Sequence, residues 1–175
     1  ITLPSTVSGI RQYLESGVLQ GVGPATARKI ISAFGTDTFD ILDHSPYRLA
    51  EIEGIGHATA SAIARQWQRH RAISEIMDFL QKHGVKAAYA ASIYQVYGSE
   101  AMELLTRDPY RLVEEFPGIG FAVADTIAEK TGLHADENQR AAACIRHLLH
   151  EAASAGHAFL PEDRLREQLD QVHGI

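Results

Sequence analysis

The chain contains an internal repeat at an offset of 63 residues, and this repeat is the strongest constraint on its fold. Residues 21–49 align with residues 84–112, and both segments end in the run Pro-Tyr-Arg-Leu. One further residue of offset aligns Gly-Ile-Gly at 54–56 with Gly-Ile-Gly at 118–120. Because such a repeat builds one supersecondary unit twice, we expect two copies of a unit of about sixty residues. The predicted divisions are 1–82 for the first unit, 83–131 for the second unit and 132–175 for a helical tail.

The spacing of apolar residues in both copies is typical of α-helices. A stripe of apolar side chains across residues 27–34 recurs every three or four positions and ends at Gly35, a good helix stop. The same spacing continues through 57–82, and the tail shows it at 137–155 and again after Pro161. No segment alternates β-branched residues as a strand does, and no Asn-Gly or Asp-Gly hairpin turn occurs. The sequence therefore predicts an all-α fold.

Two further features are predicted to serve packing. Each Pro-Tyr-Arg-Leu run, at 46–49 and at 109–112, follows a residue that can cap a helix. Proline should then begin a short helix, tyrosine and leucine should pack, and arginine should lie over the surface. Trp67 could stack on a nucleic-acid base. Its helical spacing from Ile63 favours a place in the hydrophobic core instead.

The composition is that of a globular protein, with 45% hydrophobic and 22% charged residues among 175. No stretch has the roughly 18 apolar residues needed to span a bilayer, and the amino end lacks a signal-peptide pattern. The single cysteine, Cys144, cannot form an internal disulfide, which favours a reducing, cytoplasmic setting. Because the chain begins with Ile1, we expect it to be part of a longer protein.

The formal charge of −6, taken as a whole, argues against a positively charged surface for nucleic acid. That charge is unevenly distributed along the chain. Residues 1–86 carry nine Lys and Arg against eight Asp and Glu, whereas residues 87–175 carry seven against fourteen. The acidity therefore belongs to the second half, and an anion-binding surface is predicted in the first.

Three short turns share one pattern, Gly-Val-Gly at 21–23 and Gly-Ile-Gly at 54–56 and 118–120, and each opens a helix rich in small residues. Two glycines around one aliphatic residue allow a very tight turn, with the aliphatic side chain buried between helices. The backbone N–H groups of the following helix N-terminus then face outward, where they can bind phosphate. Since this contact reads phosphate and not bases, we expect binding without sequence preference.

These turns resemble the helix-hairpin-helix motif of DNA repair and recombination proteins, which grips the backbones of a duplex or a strand junction. Three segments extend the likeness: YLESGVLQGVGPATARKIISAFG, DPYRL before GIGF at 118–121, and GHAFLP at 156–161. Together they resemble the region preceding the motor of bacterial RecD-like DNA helicases, relatives of the exonuclease V alpha subunit. The resemblance covers almost the whole chain. It implies tandem helix-hairpin-helix units of an ATP-dependent helicase, with DNA and the motor domains of the same protein as partners and no membrane contact.

The same resemblance places ATP and Mg in motor domains outside this segment. No G-x-x-x-x-G-K-[ST] phosphate loop occurs in the chain, so we expect no cofactor, ATP hydrolysis or unwinding from the segment itself. No catalytic constellation is evident either. Cys144, His147 and His150 stand three residues apart on one predicted helix and diverge, so they are interpreted as a buried thiol and surface histidines. No catalytic and no metal site is predicted.

The turns differ in the residues that follow them. Hydroxyl and cationic side chains follow the first two, whereas Asp125 follows the third, and relatives usually carry lysine and threonine where this chain has Ala122 and Val123. A fourth turn, at 84–87, has lost its second glycine and is interpreted as a structural remnant. The predicted DNA-binding residues are Gly21, Val22, Gly23, Thr26, Arg28, Lys29, Gly54, Ile55, Gly56, His57, Thr59, Arg65, Gly118 and Gly120.

Two other functions fit the same sequence. A protein-interaction or rigid positioning domain, packed on the motor, would explain the net negative charge and the altered third and fourth turns. The DNA-binding part of a nuclease or a ligase would use similar hairpins. A phosphate loop elsewhere in the protein would identify the helicase.

Overall fold

The computed structural model describes residues 3–116, 119–133 and 137–173, and it shows helices and no strands in these ranges. Residues 171–173 are described by their backbone alone. Short 3-10 helices lie at Gly35–Asp37, Pro46–Glu51 and Gly98–Glu100. The all-α prediction is confirmed. The α-helices are α1 (Val7–Glu15), α2 (Pro24–Phe34), α3 (Thr38–His44), α4 (His57–Lys82), α5 (Tyr89–Tyr97), α6 (Ala101–Arg107), α7 (Arg111–Glu115), α8 (Phe121–Thr131), α9 (Glu137–Ser154) and α10 (Glu162–His173).

The chain divides into two compact units, Ile1–Asp78 and Phe79–Ile175, called unit 1 and unit 2 here. Helix α4 extends from unit 1 into unit 2, and the tail helices α9 and α10 belong to unit 2. The divisions predicted from the sequence, after residues 82 and 131, follow the repeat and stay a prediction.

The repeat is visible in equivalent contacts inside each unit. In unit 1 the guanidinium of Arg48 lies over the ring of Phe34, 5.2 Å from its centroid. In unit 2, Arg111 lies over Tyr97 at 5.8 Å, and these two residues stand 63 positions later in the sequence. Each aromatic residue ends a helix and is followed by a glycine with a φ of 56°. The two units therefore share their local architecture, and tandem units are confirmed.

The two Pro-Tyr-Arg-Leu runs differ at their tyrosines, which corrects the prediction that both tyrosines pack. Tyr47 is 71% exposed, whereas Tyr110 is 4% exposed. The ring of Tyr110 stacks on Phe121, and its hydroxyl donates a hydrogen bond of 2.7 Å to Asp125. Arg140 of α9 closes over this pair and donates two hydrogen bonds of 2.8 Å to the Asp125 carboxylate. The burial of Tyr110 thus depends on a tail helix that the first copy of the repeat lacks.

Trp67 lies at the centre of the core of unit 1, as predicted. Its side chain is fully buried, its ring stacks on Phe39 with centroids 5.2 Å apart, and its indole N–H donates a hydrogen bond of 2.6 Å to Asp43. Helices α1 to α4 all contribute residues to this core. The buried residues of this core are Ile10, Leu14, Leu19, Val22, Ala27, Ile30, Ile31, Phe39, Leu42, Leu49, Ile55, Ala60, Ile63 and Trp67.

A half-buried histidine, His70, lies beside this core. The hydroxyl of Tyr13 in α1 and Nε2 of His70 in α4 form a hydrogen bond, and the His70 ring packs against Trp67 with centroids 6.2 Å apart. Burial, assisted by the neighbouring Arg71 cation, lowers the pKa of His70 below its usual value of 6.5. The surroundings of His70 therefore favour its neutral form in the folded chain.

We expect acid to destabilise the chain through His70. In the unfolded chain His70 is protonated near pH 6.5, whereas in the folded chain it is protonated only at a lower pH. The contribution of neutral His70 to the free energy of unfolding is therefore present above pH 6.5 and is lost as the pH falls below it. A thermal melt followed by circular dichroism should show a smaller fall in Tm between pH 7.5 and 5 for His70→Gln than for wild type. His44→Gln, at an exposed histidine, is the matched control. An equal fall in wild type and His70→Gln would contradict this role.

Candidate nucleic-acid interface

The aliphatic residue at the middle of each turn is buried, as the sequence predicts. Val22, Ile55 and Ile119 are 5%, 3% and 1% exposed. Each donates its backbone N–H to the carbonyl three residues earlier, with N···O distances of 3.2, 2.9 and 2.7 Å. These bonds close tight turns directly before α2, α4 and α8. The turns at 21–23, 54–56 and 118–120 are called hairpins 1, 2 and 3 below.

The first glycine of hairpins 1 and 2 is required by the backbone. Gly21 and Gly54 have φ values of 85° and 86°, a conformation that residues with a side chain rarely adopt. Gly118, the matching residue of hairpin 3, lies outside the described residues. The fold therefore accounts for Gly21 and Gly54 without any ligand.

The second glycine of hairpins 1 and 2 has no such explanation. Gly23 has a φ of −82° and a ψ of 176°, extended backbone that any residue can adopt. Gly56 does not have a positive φ either. Among the described residues, no atom beyond the immediate chain neighbours lies within 4 Å of where a Cβ would stand at either position. Packing and backbone geometry therefore leave room for a side chain at both, and both glycines lie exposed on the surface.

Hairpin 3 differs at the same position because α9 covers it. A Cβ at Gly120 would lie 3.2 Å from Cε1 of His147, a side chain that is 17% exposed. His147 is further held beside Glu151, with Nε2 3.6 Å from the carboxylate. The interpretation of His147 as a surface histidine is therefore wrong, since its ring packs against hairpin 3. The absence of a side chain at Gly120 serves contact with α9.

The start of α2 is open to an external partner. Its N-cap is Gly23, Pro24 stands at the first helical position, and none of the described side chains caps this helix end. Arg28 donates a hydrogen bond of 3.2 Å from Nε to the Pro24 carbonyl, which holds its exposed guanidinium beside the first turn. Thr26 is half-buried in the same turn. Backbone donors and a cation are thus brought together at hairpin 1.

Hairpins 1 and 2 are braced against each other by side chains. Lys29, predicted to bind DNA, donates a hydrogen bond of 2.9 Å to the Glu53 carbonyl, directly before Gly54. Gln66 clamps the backbone of Gln20, directly before Gly21. Its side-chain oxygen accepts from the Gln20 N–H at 2.6 Å, and its side-chain nitrogen donates to the Gln20 carbonyl at 3.0 Å. We call these bonds the cross-brace.

Unit 2 repeats half of the cross-brace with a different side chain. Lys130 donates a hydrogen bond of 3.0 Å to the His83 carbonyl, directly before Gly84. Lys130 and His83 stand at the repeat positions of Gln66 and Gln20. Sequence reasoning missed these braces because lysine and glutamine do not resemble each other. The available signal was that Gln20 and His83 stand directly before the aligned glycines Gly21 and Gly84.

The remaining predicted residues of hairpin 2 lie on the surface of α4. His57, Thr59 and Arg65 are exposed in its first three turns. Arg69, one turn further, lines an open cavity of about 370 Å³ together with Gln66 and the backbone before hairpin 1. Exposed cations therefore accompany hairpins 1 and 2 in unit 1.

Comparison with known proteins agrees with this double arrangement. The family model of the HHH domain of the ATP-dependent RecD2 DNA helicase matches the chain twice, over residues 7–72 and 69–159. The chain belongs to this RecD2 HHH family. The ATP-dependent RecD2 DNA helicase of Deinococcus radiodurans is 30% identical over 165 residues. This match covers 93% of the chain and 23% of that relative. No solved structure matches.

The RecD2 HHH assignment confirms the resemblance to RecD-like helicases and identifies a helicase-associated domain. Within the part of the RecD2 HHH chain that the structure describes, no three His, Cys, Asp or Glu side chains are grouped to hold a metal ion. Over the same residues, no helix is long and apolar enough to cross a membrane. Burial raises the pKa of the Cys144 thiol to about 11, so this cysteine is protonated at neutral pH.

Proposed function

We propose that this chain is a DNA-backbone-binding module of an ATP-dependent RecD-like helicase, and that hairpins 1 and 2 make the contact. The supporting observation is the pair Gly23 and Gly56. Neither backbone geometry nor packing against described residues requires glycine there. A missing side chain at an exposed turn allows another molecule's backbone to approach closely. The amides at a helix N-terminus form a binding site for an anion such as phosphate.

Charge supports the same proposal. Arg28 and Arg65 are exposed on the helices that follow hairpins 1 and 2. Beside hairpin 3, the cation Lys130 is bound to the His83 carbonyl and Arg140 to the Asp125 carboxylate. Binding through phosphates alone carries no sequence preference, so all DNA sequences should bind alike.

Hairpin 3 and the turn at 84–87 take structural roles in this proposal. Gly84 keeps a φ of 76° and Val85 is buried, but the Val85 N–H donates to the Leu80 carbonyl five residues earlier, so this fourth turn is closed by a different hydrogen bond. Lys86 replaces the second glycine, and α5 begins at Tyr89, two positions later than the start of α2 in the repeat. Its helix N-terminus is therefore displaced from the turn, while α9 covers that of hairpin 3.

In a full-length protein like the Deinococcus relative, we propose that the module guides DNA toward motor domains that use ATP and Mg. One observation favours a second candidate, an interaction or positioning domain packed on those motor domains. Phe159 is 76% exposed and Leu149 is 44% exposed in unit 2. Exposed apolar side chains of this size suit a protein contact. Weak DNA binding together with tight binding to the motor domains would favour this candidate.

Salt dependence tests the phosphate contact. If hairpins 1 and 2 neutralise about four phosphates, the logarithm of affinity should fall with the logarithm of salt at a slope of about −3 to −4. Arg28→Ala should reduce that slope by about 1 and weaken all DNA sequences alike. Fluorescence anisotropy with labelled oligonucleotides between 25 and 200 mM salt (roughly the range over which phosphate contacts are strongly screened) measures both.

Arg164→Ala is the matched control, because Arg164 is an exposed arginine of α10 in unit 2. The control should leave the slope unchanged. An unchanged slope in Arg28→Ala as well would remove hairpin 1 from the proposal.

A further inference from the structure

One face of unit 1 differs in charge and in solvent exposure from its counterpart in unit 2. The repeat assigns to this face of unit 1 four exposed residues of the Pro-Tyr-Arg-Leu run and of α4. They are Tyr47, His57, Ser61 and Arg65, and their repeat counterparts in unit 2 are Tyr110, Phe121, Asp125 and Glu129. We call the first set the Tyr47 face.

In unit 2 the counterpart face is occupied by a helix. Tyr110 and Phe121 stack with centroids 6.0 Å apart and are 4% and 1% exposed. Asp125 accepts hydrogen bonds from Tyr110 and from Arg140 of α9. His147 of α9 packs against Gly120 at the edge of the same face. An acidic face thus binds a helix that brings an arginine to it.

In unit 1 the residues at the matching repeat positions replace the acidic side chains of this face. Ser61 stands where Asp125 stands, and Arg65 stands where Glu129 stands, so two carboxylates are replaced by a hydroxyl and a cation. His57 replaces Phe121. A helix equivalent to α9 would find no carboxylate at these positions. An anionic partner would instead meet Arg65, two polar side chains and the aromatic ring of Tyr47.

The repeat places this face next to the open hairpin 2. Gly120, the counterpart of Gly56, borders the counterpart face because α9 covers both. By equivalence with unit 2, Tyr47 and Arg65 would lie beside a strand whose phosphate is held at Gly56. Tyr47, 71% exposed, presents a flat ring on which a base can stack.

We infer that the Tyr47 face is a nucleotide-binding site for a strand with unpaired bases, in which Tyr47 stacks on a base and Arg65 contacts a phosphate. This inference rests on the proposed function. The phosphate contacts of the proposed function are available to both duplex and single-stranded DNA. The inferred stacking contact with Tyr47 requires an unpaired base. Tyr47 is therefore the residue that distinguishes single-stranded from duplex DNA.

The test compares Tyr47→Leu and Tyr47→Phe on the full 175-residue chain. Tyr47→Leu should weaken binding of a single-stranded oligonucleotide about fivefold or more, as expected for the loss of one stacked base, and leave binding of a blunt duplex unchanged. Tyr47→Phe keeps a stacking ring and should stay within about twofold of wild type. Phe159→Leu removes an equally exposed aromatic ring from unit 2 and should have no effect.

A second readout detects stacking directly. A single-stranded oligonucleotide with 2-aminopurine at successive positions should change fluorescence on binding wild type and Tyr47→Phe, and lose this change with Tyr47→Leu. Thermal melts should agree among all variants, because Tyr47 is exposed.

The outcomes separate this inference from the proposed function. If Tyr47→Leu binds single strands with wild-type affinity while Arg28→Ala still reduces the salt dependence of binding, the inference is overturned. The proposed phosphate contacts then remain supported. Unchanged DNA binding by Tyr47→Leu together with weakened binding to the motor domains overturns it in favour of protein docking. Equal weakening on single strand and blunt duplex also overturns it. Absence of any DNA binding by wild type removes both proposals.

Discussion

Replacing Gly23 and Gly56 together with alanine is expected to weaken DNA binding by at least about tenfold while the chain stays folded. A methyl group at each position would stand between the phosphate and the amides of the following helix. Losing charge-assisted hydrogen bonds at two hairpins removes more than enough free energy for this effect. The chain itself has space for both methyl groups, since no described atom beyond the chain neighbours lies within 4 Å.

Fluorescence anisotropy measures the affinity, and a thermal melt followed by circular dichroism measures the fold. Alanine is a poorer helix N-cap than glycine, so the melt should show a loss of about 1 kcal/mol or less at each site. Gly120→Ala is the matched control, because its methyl group would meet His147 at 3.2 Å. That variant should lower the Tm and leave DNA affinity unchanged. Wild-type affinity in the double variant would refute phosphate contact at both hairpins.

Trp67→Ala is expected to lower the free energy of unfolding by about 3–5 kcal/mol. The substitution would remove a fully buried ring that stacks on Phe39, and it would leave the Asp43 carboxylate without its indole donor. Because Trp67 packs among the helices that carry hairpins 1 and 2, DNA binding should be lost with the fold of unit 1.

Urea denaturation followed by circular dichroism measures this loss. In wild type, the fluorescence of this single tryptophan reports on unit 1 alone. Trp67→Phe is the matched control, since it keeps an aromatic ring on Phe39 and should cost less than Trp67→Ala. A loss of under about 0.5 kcal/mol in Trp67→Ala, the usual range for surface substitutions, would show that the core does not depend on this ring.

Most of the fold follows from local patterns, and the sequence predicts it well. The apolar stripe ending at Gly35 and the long stripe through 57–82 correspond to α2 and α4. Periodicity and glycine punctuation act over a few residues, so one sequence suffices to read them. Trp67 follows the same rule, because its spacing from Ile63 places it on the buried face.

Contacts between distant segments could not be predicted in this way. Tyr47 and Tyr110 stand in identical runs, yet one is exposed and the other is buried because α9 packs only on the second. The position of α9 follows from the packing of unit 2 and has no counterpart in the repeat. His147 was misinterpreted for the same reason, since α9 brings it onto Gly120.

The candidate site was predicted in part. The Gly-x-Gly pattern identifies the turns and their buried aliphatic residues, because these depend on local backbone conformation. The bond from Lys29 to the Glu53 carbonyl joins segments 24 residues apart and carries no pattern of its own. The difference between Gly56 and Gly120 likewise depends on a distant segment, because His147 of α9 packs against Gly120.

If hairpins 1 and 2 bind DNA as proposed, the cross-brace would join them into one bivalent DNA-binding unit. Lys29 joins hairpin 2 to α2, and Gln66 joins hairpin 1 to α4, so these hydrogen bonds restrain the movement of one turn relative to the other. Once one hairpin holds a phosphate, the other searches only a small volume around a fixed point, which raises its effective concentration. Avidity then depends on the match between the hairpin separation and the phosphate spacing along the DNA. Lys29 would then contribute to DNA binding indirectly, by fixing the distance between the two phosphate-binding turns.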